Sequence, residues 1–229
     1  MRVIIGCEES QAVTLAFRKL GHEAFSCDLL PCSGGHPEWH FQESIFDVLE
    51  REKRFDVGIF HPPCTFLSVS GAIWMYNKDG SINEERRNNQ MEALEFVHKL
   101  MDVDIDRIAI ENPISVISSF IRKPDQIIQP WMYGDEAQKS TCLWLKNLPH
   151  LQPTNIVSKG DFFEWTCNKT GKKKKQPQWY ADAFMKHGFN KEQRRTLRSK
   201  TFQGIADAMA LQWGTERNIG IQKTIFDEI

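Results

Sequence analysis

The sequence predicts an α/β protein: an open, mainly parallel β-sheet flanked by helices. Short β-branched apolar runs alternate with helical patterns, as in chains that build parallel sheets through crossover connections. The chain has 229 residues, 41% of them hydrophobic. That is enough to bury a core, and one large domain is favoured over two. The residues that end the apolar runs are also rich in chemical groups, and in an open α/β sheet such ends share one edge.

The run at 2–6 (RVIIG) is β-branched and ends in glycine, which reads as a buried strand. From Ser10 to Gly21, with Ala12, Leu15, Ala16 and Leu20 on one face, the pattern is helical, and Ser10 is the expected cap. Residues 22–28 (HEAFSCD) give a second strand ending in Asp28, and 55–61 (FDVGIFH) a third. A long amphipathic helix is expected over 83–102, with Met91, Leu94, Phe96, Val97 and Leu100 turned to the core. The run at 105–113 (IDRIAIENP) is a strand stopped by Pro113, and 201–214 a closing helix. There is no internal repeat. The TGKKKK patch at 170–175 reads as an exposed loop or hairpin turn.

No apolar run reaches the roughly 18 residues of a membrane helix. The first ten residues lack the form of a secretory signal. A soluble, cytoplasmic chain without membrane partners is expected, and its six cysteines are then free thiols. The net charge of −1 is unevenly spread. Residues 169–200 carry eleven Lys/Arg against two Asp/Glu, or +9, which leaves −10 for the rest. A basic block on an acidic body suits contact with a polyanion.

The strand ends bring together Gly6-Cys7-Glu8, Asp28, His61-Pro62-Pro63-Cys64 and Glu111-Asn112-Pro113. A glycine after the first strand admits a ligand to the backbone, and the next helix N-terminus favours negative groups. An acidic residue ending the second strand can accept hydrogen bonds from ribose hydroxyls. Gly6, Cys7, Glu8, Asp28, Leu29 and Pro62 are therefore candidate cofactor contacts. Cys64 is a candidate nucleophile that needs a depressed pKa, and the two prolines restrict where its thiol points. Glu111 follows a run of apolar residues, so its pKa is expected to rise, making it able to hold a proton.

The stretch HPPCTFLS resembles the Pro-Pro-Cys motif of the DNA cytosine-C5 methyltransferases, and IENP resembles their Glu-Asn-Val motif. The order of motifs agrees, over about 1–145, with an echo in QGIADAMALQWG. The chain is more similar still to small phage and prophage proteins described as methyltransferases of this type, through CEES, LPCSGGHPEWH, HPPCT and CLWLKNLP. The resemblance implies a Rossmann-like class I methyltransferase fold and S-adenosylmethionine as cofactor. It implies that Cys64 adds to C6 of cytosine while Glu111 contacts N3 and the exocyclic amine. It adds Ser68, Asn112 and Gln138 to the substrate contacts, with Lys172, Lys173, Arg194 and Arg195 from the basic block. DNA is the first expected partner, with RNA or a free nucleotide as alternatives, and the oligomeric state is left open.

The chain departs from that pattern in three places. The glycine-rich loop is reduced to GCEES. Ser140 and Cys142 stand where the family's Gln-x-Arg-x-Arg strand has arginines. No large recognition domain is present: 1–150 and 199–229 form the catalytic part, and 151–198 a small basic insertion. A catalytically degenerate binding protein is the main alternative. An amino-methyltransferase fits less well, since His61 and Cys64 replace the ends of an Asp/Asn-Pro-Pro-aromatic motif. Cys27, Cys32, His36 and His40 have a spacing that could hold zinc, though a loop over the cofactor suits that stretch better.

Overall fold

A computed structural model describes residues 1–52, 54–168, 170–185 and 188–215. Its main sheet has seven strands in the order β3-β2-β1-β4-β5-β7-β6. In chain order the elements are β1 (Arg2–Gly6), α1 (Ala12–Lys19), β2 (Glu23–Cys27), β3 (His40–Phe41), α2 (Ile45–Arg51), β4 (Val57–Phe60), α3 (Glu84–Met101), β5 (Arg107–Pro113), α4 (Ile117–Phe120), β6 (Gln126–Ile128) and β7 (Thr141–Lys146). A separate hairpin follows, β8 (Phe162–Thr166) and β9 (Lys173–Pro177), then α5 (Gln178–Met185), α6 (Lys191–Ser199) and α7 (Gln203–Trp213).

The four strands read from the sequence pair in parallel, β2 with β1, β1 with β4 and β4 with β5. The open, mainly parallel sheet flanked by helices is thus the observed class. β7 is the exception, running antiparallel to both β5 and β6.

Alternation along the strands decides the layers. Val3, Ile5, Val57 and Ile59 point to one face, against Val13 and Phe17 of α1 and Ile205, Met209 and Trp213 of α7. Ile4, Phe60, Ile108 and Ile110 point to the other, against Ile45 and Val48 of α2 and Leu94, Val97 and Leu100 of α3. Both faces are covered, so the central strands are continuously apolar rather than alternating.

Two local expectations are corrected. Helix α1 starts two residues after Ser10, which does not cap it; the N-cap position is Gln11, at φ 57°. Met91 is 51% exposed, because the first half of α3 buries none of its residues in the core. Among the described residues no helix is long and apolar enough to cross a membrane.

Candidate active site

The strand order reverses direction at β1 and β4, since β2 and β3 lie to one side and β5 to the other. In open α/β sheets the crevice beyond the carboxyl ends at such a point is where ligands bind. The turn leaving β1 is tightly shaped, with Cys7 at φ 60° and Gln11 at φ 57°. Gly6 is required there by the core: a Cβ would lie 2.6 Å from the Phe60 ring and 3.1 Å from Ile45.

Glu8 is only 4% exposed and serves α1. Its Oε1 accepts from the Val13 amide at 2.6 Å. Its Oε2 accepts from the Thr14 amide at 3.2 Å and from Thr14 Oγ1 at 2.7 Å. The orphan amides of the helix start are thus taken by the protein's own carboxylate. A phosphate could not use them without displacing Glu8, so this helix start suits an adenosine ligand without phosphates better than a dinucleotide. Burial holds the Glu8 carboxyl above its ordinary range, against the lowering effect of His61.

Asp28 sits half-buried at the end of β2, where its charge acts on the Cys7 thiol next door. Its Oδ1 accepts from the Leu30 amide at 2.9 Å. Leu29 and Leu30 beside it are 74% and 61% exposed, an apolar surface next to a carboxylate. The loop from 31 to 39 is clamped onto the turn after β1. Gln11 Nε2 donates to the His36 carbonyl at 2.8 Å, and Gln11 Oε1 accepts from its amide at 3.1 Å. The Ser33 amide donates to the Glu9 carbonyl at 2.7 Å. Gly34 fits because a Cβ there would lie 2.5 Å from Gln11 Cβ. Three of the four residues of the alternative zinc reading have protein partners of their own. His40 holds Ser26 Oγ at 2.8 Å and the Leu30 carbonyl at 2.9 Å through its two nitrogens. Cys27 Sγ donates to the Glu43 carbonyl, and His36 stacks on Trp39. Among the described residues no group of three or more potential ligands converges on a metal site.

The Pro-Pro-Cys turn is braced from both sides. Asn112, 1% exposed, donates from Nδ2 to the Pro62 carbonyl at 2.8 Å. The Val116 amide donates to the Leu67 carbonyl at 2.9 Å. From α3, Gln90 Nε2 donates to the Phe66 carbonyl at 2.9 Å and Arg86 to the Thr65 carbonyl at 3.1 Å. The Cys64 carbonyl itself accepts from the Leu67 and Ser68 amides. Ser68 caps the 3₁₀ turn that follows, with its hydroxyl 2.9 Å from Ser70 Oγ. Asn112 and Pro62 are buried and bonded through Nδ2 and the Pro62 carbonyl, which shapes the turn.

Cys64 follows the end of β4 and Glu111 lies near the end of the neighbouring strand β5, and their charges interact. Both pKa expectations reverse. Burial and the Glu111 charge hold the Cys64 thiol above its ordinary value, against Lys139 and Arg198, which pull it down. Burial alone would raise Glu111, but a hydrogen bond from His61 outweighs it, aided by the charges of Lys139 and His61, and the carboxyl is held below its ordinary range. That bond joins His61 Nδ1 to Glu111 Oε2 at 2.9 Å, with both side chains 10% exposed. His61 Nε2 and Asn112 Oδ1 are buried without a hydrogen-bond partner.

Three residues that motif comparison passed over thus belong to this centre: His61, Lys139 and Arg198. His61 was legible, because a register pairing Phe60 with Ile110 sets residue 61 opposite 111. Lys139 lies between Gln138 and Ser140 in the segment entering β7. Gln138 accepts from Trp179 Nε1 through its carbonyl at 3.4 Å, tying the basic insertion to the body. Lys172 and Lys173 are exposed in the hairpin, away from these bonds. Arg194 is half-buried on α6, with Nε donating to the Asn190 carbonyl at 3.3 Å. The Arg195 side chain lies outside the described residues, as do 216–229 of the expected catalytic part.

No protein-family model and no curated protein matches the chain. Among solved structures, it is similar to one from E. coli described as a "putative DNA modification methyltransferase encoded within prophage". The TM-score is 0.41 at 13% identity, over 69% of this chain and 52% of that one, so the chain spans about half the length of that structure.

Proposed function

We propose that the protein is an S-adenosylmethionine-dependent methyltransferase that acts on C5 of cytosine in DNA through a Cys64 adduct at C6. The observation that carries this reading is the pairing of a braced thiol, Cys64, with a buried carboxylate, Glu111, on adjacent strand ends at the sheet's switch point. The Rossmann-like sheet agrees with the fold that the Pro-Pro-Cys and Glu-Asn motifs imply. Gly6, Cys7, Asp28 and Leu29 would hold the cofactor's adenosine, and Glu8 favours a cofactor without phosphates by filling the start of α1. When bound, S-adenosylmethionine supplies an electrophilic methyl group.

The chain's own residues then account for the proton movements. In the free protein the thiol keeps its proton and Glu111 is ionised. As Sγ bonds to C6, the thiol proton passes to Glu111 and on to N3 of the base, so no net charge accumulates in the buried site. C5, made electron-rich, takes the methyl group. Loss of the C5 proton to solvent water lets the Sγ–C6 bond break, and the N3 proton returns through Glu111 to Sγ, restoring the ring, the thiol and the Glu111 carboxylate. His61 holds Glu111 in place throughout, and Lys139 offsets the negative charge beside Cys64. The braced turn contributes by fixing the attacking atom before substrate arrives. Residues 151–198 serve as a minimal recognition region.

The raised Cys64 thiol favours the alternative, a degenerate methyltransferase-like binding protein, as do the reduced GCEES loop and the Ser140 and Cys142 that stand in place of arginines. Trapping separates the two. With cofactor and DNA carrying 5-fluorocytosine, position 5 has no proton to lose, and mass spectrometry should find the base bonded to Cys64. Cys64→Ser should bind cofactor normally and transfer nothing. Full activity in Cys64→Ser, or an adduct at another residue, refutes the mechanism.

A further inference from the structure

A line of aromatic rings and cations leads from the basic hairpin to the Cys64 centre. It begins on β8, where Phe163 and Trp165 stack with ring centroids 5.9 Å apart and planes 20° from parallel. Trp165 faces Lys174 across the hairpin, and the Lys175 ammonium lies 4.6 Å from the Phe162 ring. Phe162 and Trp165 remain 39% and 37% exposed, one on each face of the hairpin. β9 runs directly into α5, where Tyr180 lies under the Arg198 guanidinium of α6 at 5.1 Å. Trp179 beside it meets Phe202 at 5.4 Å, and Lys139 Nζ stands 5.9 Å from that same ring. Lys139 and Arg198 are the two cations whose charges reach the Cys64 thiol.

Alternating ring faces and cations are what unpaired nucleotides require. Every base offers a π-face for stacking, while the backbone offers a negative charge per nucleotide. In a duplex the base faces are stacked on one another and closed to such rings. The cationic surplus of 169–200 supplies the matching charge.

We infer that this hairpin is a binding track for single-stranded DNA that crosses its β9 edge, with bases stacked on the Phe163–Trp165 pair and phosphates held by Lys174 on that face and by Lys173 and Lys175 on the other. The strand continues past Arg198, which delivers an unpaired cytosine to Cys64 without extrusion from a duplex. The choice of DNA rests on the function proposed above, and the single-stranded character rests on the track.

The test is fluorescence anisotropy with a labelled single-stranded DNA of about 20 nucleotides, longer than a typical binding site of this kind. The same sequence as duplex DNA and as single-stranded RNA serves as competitor. The single DNA strand should bind most tightly, and its affinity should fall steeply with salt. Phe163→Ala with Trp165→Ala should weaken binding about tenfold or more. Trp165→Phe should keep the affinity but lose part of the tryptophan quenching on binding, which guards against a misfolded hairpin. In the unaltered protein supplied with S-adenosylmethionine, binding of the single strand without methyl transfer would sink the proposed reaction and leave the track standing. Tighter binding of duplex or RNA, or unchanged affinity in the double alanine variant, overturns the track.

Discussion

The turn that carries Cys64 and the hairpin that carries the lysines differ in what holds them. The turn is fastened by Asn112 and Val116 on one side and by Arg86 and Gln90 on the other, all through its own carbonyls. The hairpin relies on its own antiparallel ladder, from Phe162 opposite Pro177 to Thr166 opposite Lys173, and on the Gln178 amide bonded to the Asp161 carbonyl. A nucleophile displaced by an ångström loses much of its rate, whereas contacts to a flexible polyanion tolerate movement. Rigid sheet ends therefore suit the reacting groups, and an exposed attachment suits the grip on substrate.

If that contrast holds, the largest effect should come from Glu111. Glu111→Ala would leave the His61 ring buried with neither nitrogen satisfied, and should destabilise the protein by about 3 kcal/mol. The pH dependence has a definite sign. The folded carboxyl is held below its ordinary range, so its contribution is fully present above the unfolded carboxylate pKa and is lost as pH falls through the depressed value. Urea unfolding of the two proteins should thus differ most near neutrality and converge in acid. A pH-independent gap, or none at all, would mean that the His61–Glu111 bond does not hold the edge together.

The same contrast explains what could be read in advance. β1, β2, β4 and β5 are short runs of apolar residues whose burial on both faces leaves a plain sequence signal. The reversed strand β7 carries no such mark, because antiparallel pairing with β5 is a non-local choice made through Glu111 opposite Leu143. Cys64 and Glu111 were legible as residue types at strand ends. Their protonation was not, since it depends on His61 and Lys139, which approach from different elements. The part Glu8 plays at the start of α1 is hidden for a similar reason. Its partners Val13 and Thr14 are close in sequence, but only the positive φ values of Cys7 and Gln11 fold the carboxylate back onto them.

Lys139 links the two regions, and its effect should be intermediate. Its ammonium lies 5.9 Å from the Phe202 ring, which meets Trp179 of the insertion, and its charge acts on both Glu111 and Cys64. Lys139→Gln removes a charge that favours the thiolate, so the pH midpoint for alkylation of Cys64 should move upward. Peptide-resolved mass spectrometry of iodoacetamide labelling reads Cys64 apart from Cys27 and Cys142, whose buried thiols are pushed up to about 12 and about 11. A downward shift would show that the Lys139 charge is not felt at Sγ.

The smallest effect on folding, and the sharpest contrast with Glu111, is expected at the hairpin. Lys173, Lys174 and Lys175 are exposed, and replacing exposed lysines rarely changes stability by more than about 0.5 kcal/mol each. Mutual repulsion among them opposes the compact state, so changing all three to glutamine should leave the urea midpoint unmoved or slightly raised. The same triple variant should bind nucleic acid with a weaker dependence on salt. The slope of log affinity against log salt should fall by about 2, or roughly 0.7 for each phosphate no longer neutralised. A large loss of stability would show that the lysines hold the hairpin to the body. An unchanged slope with intact stability would show that they do not touch phosphate, and the grip on substrate would then have to come from α6 and Lys139.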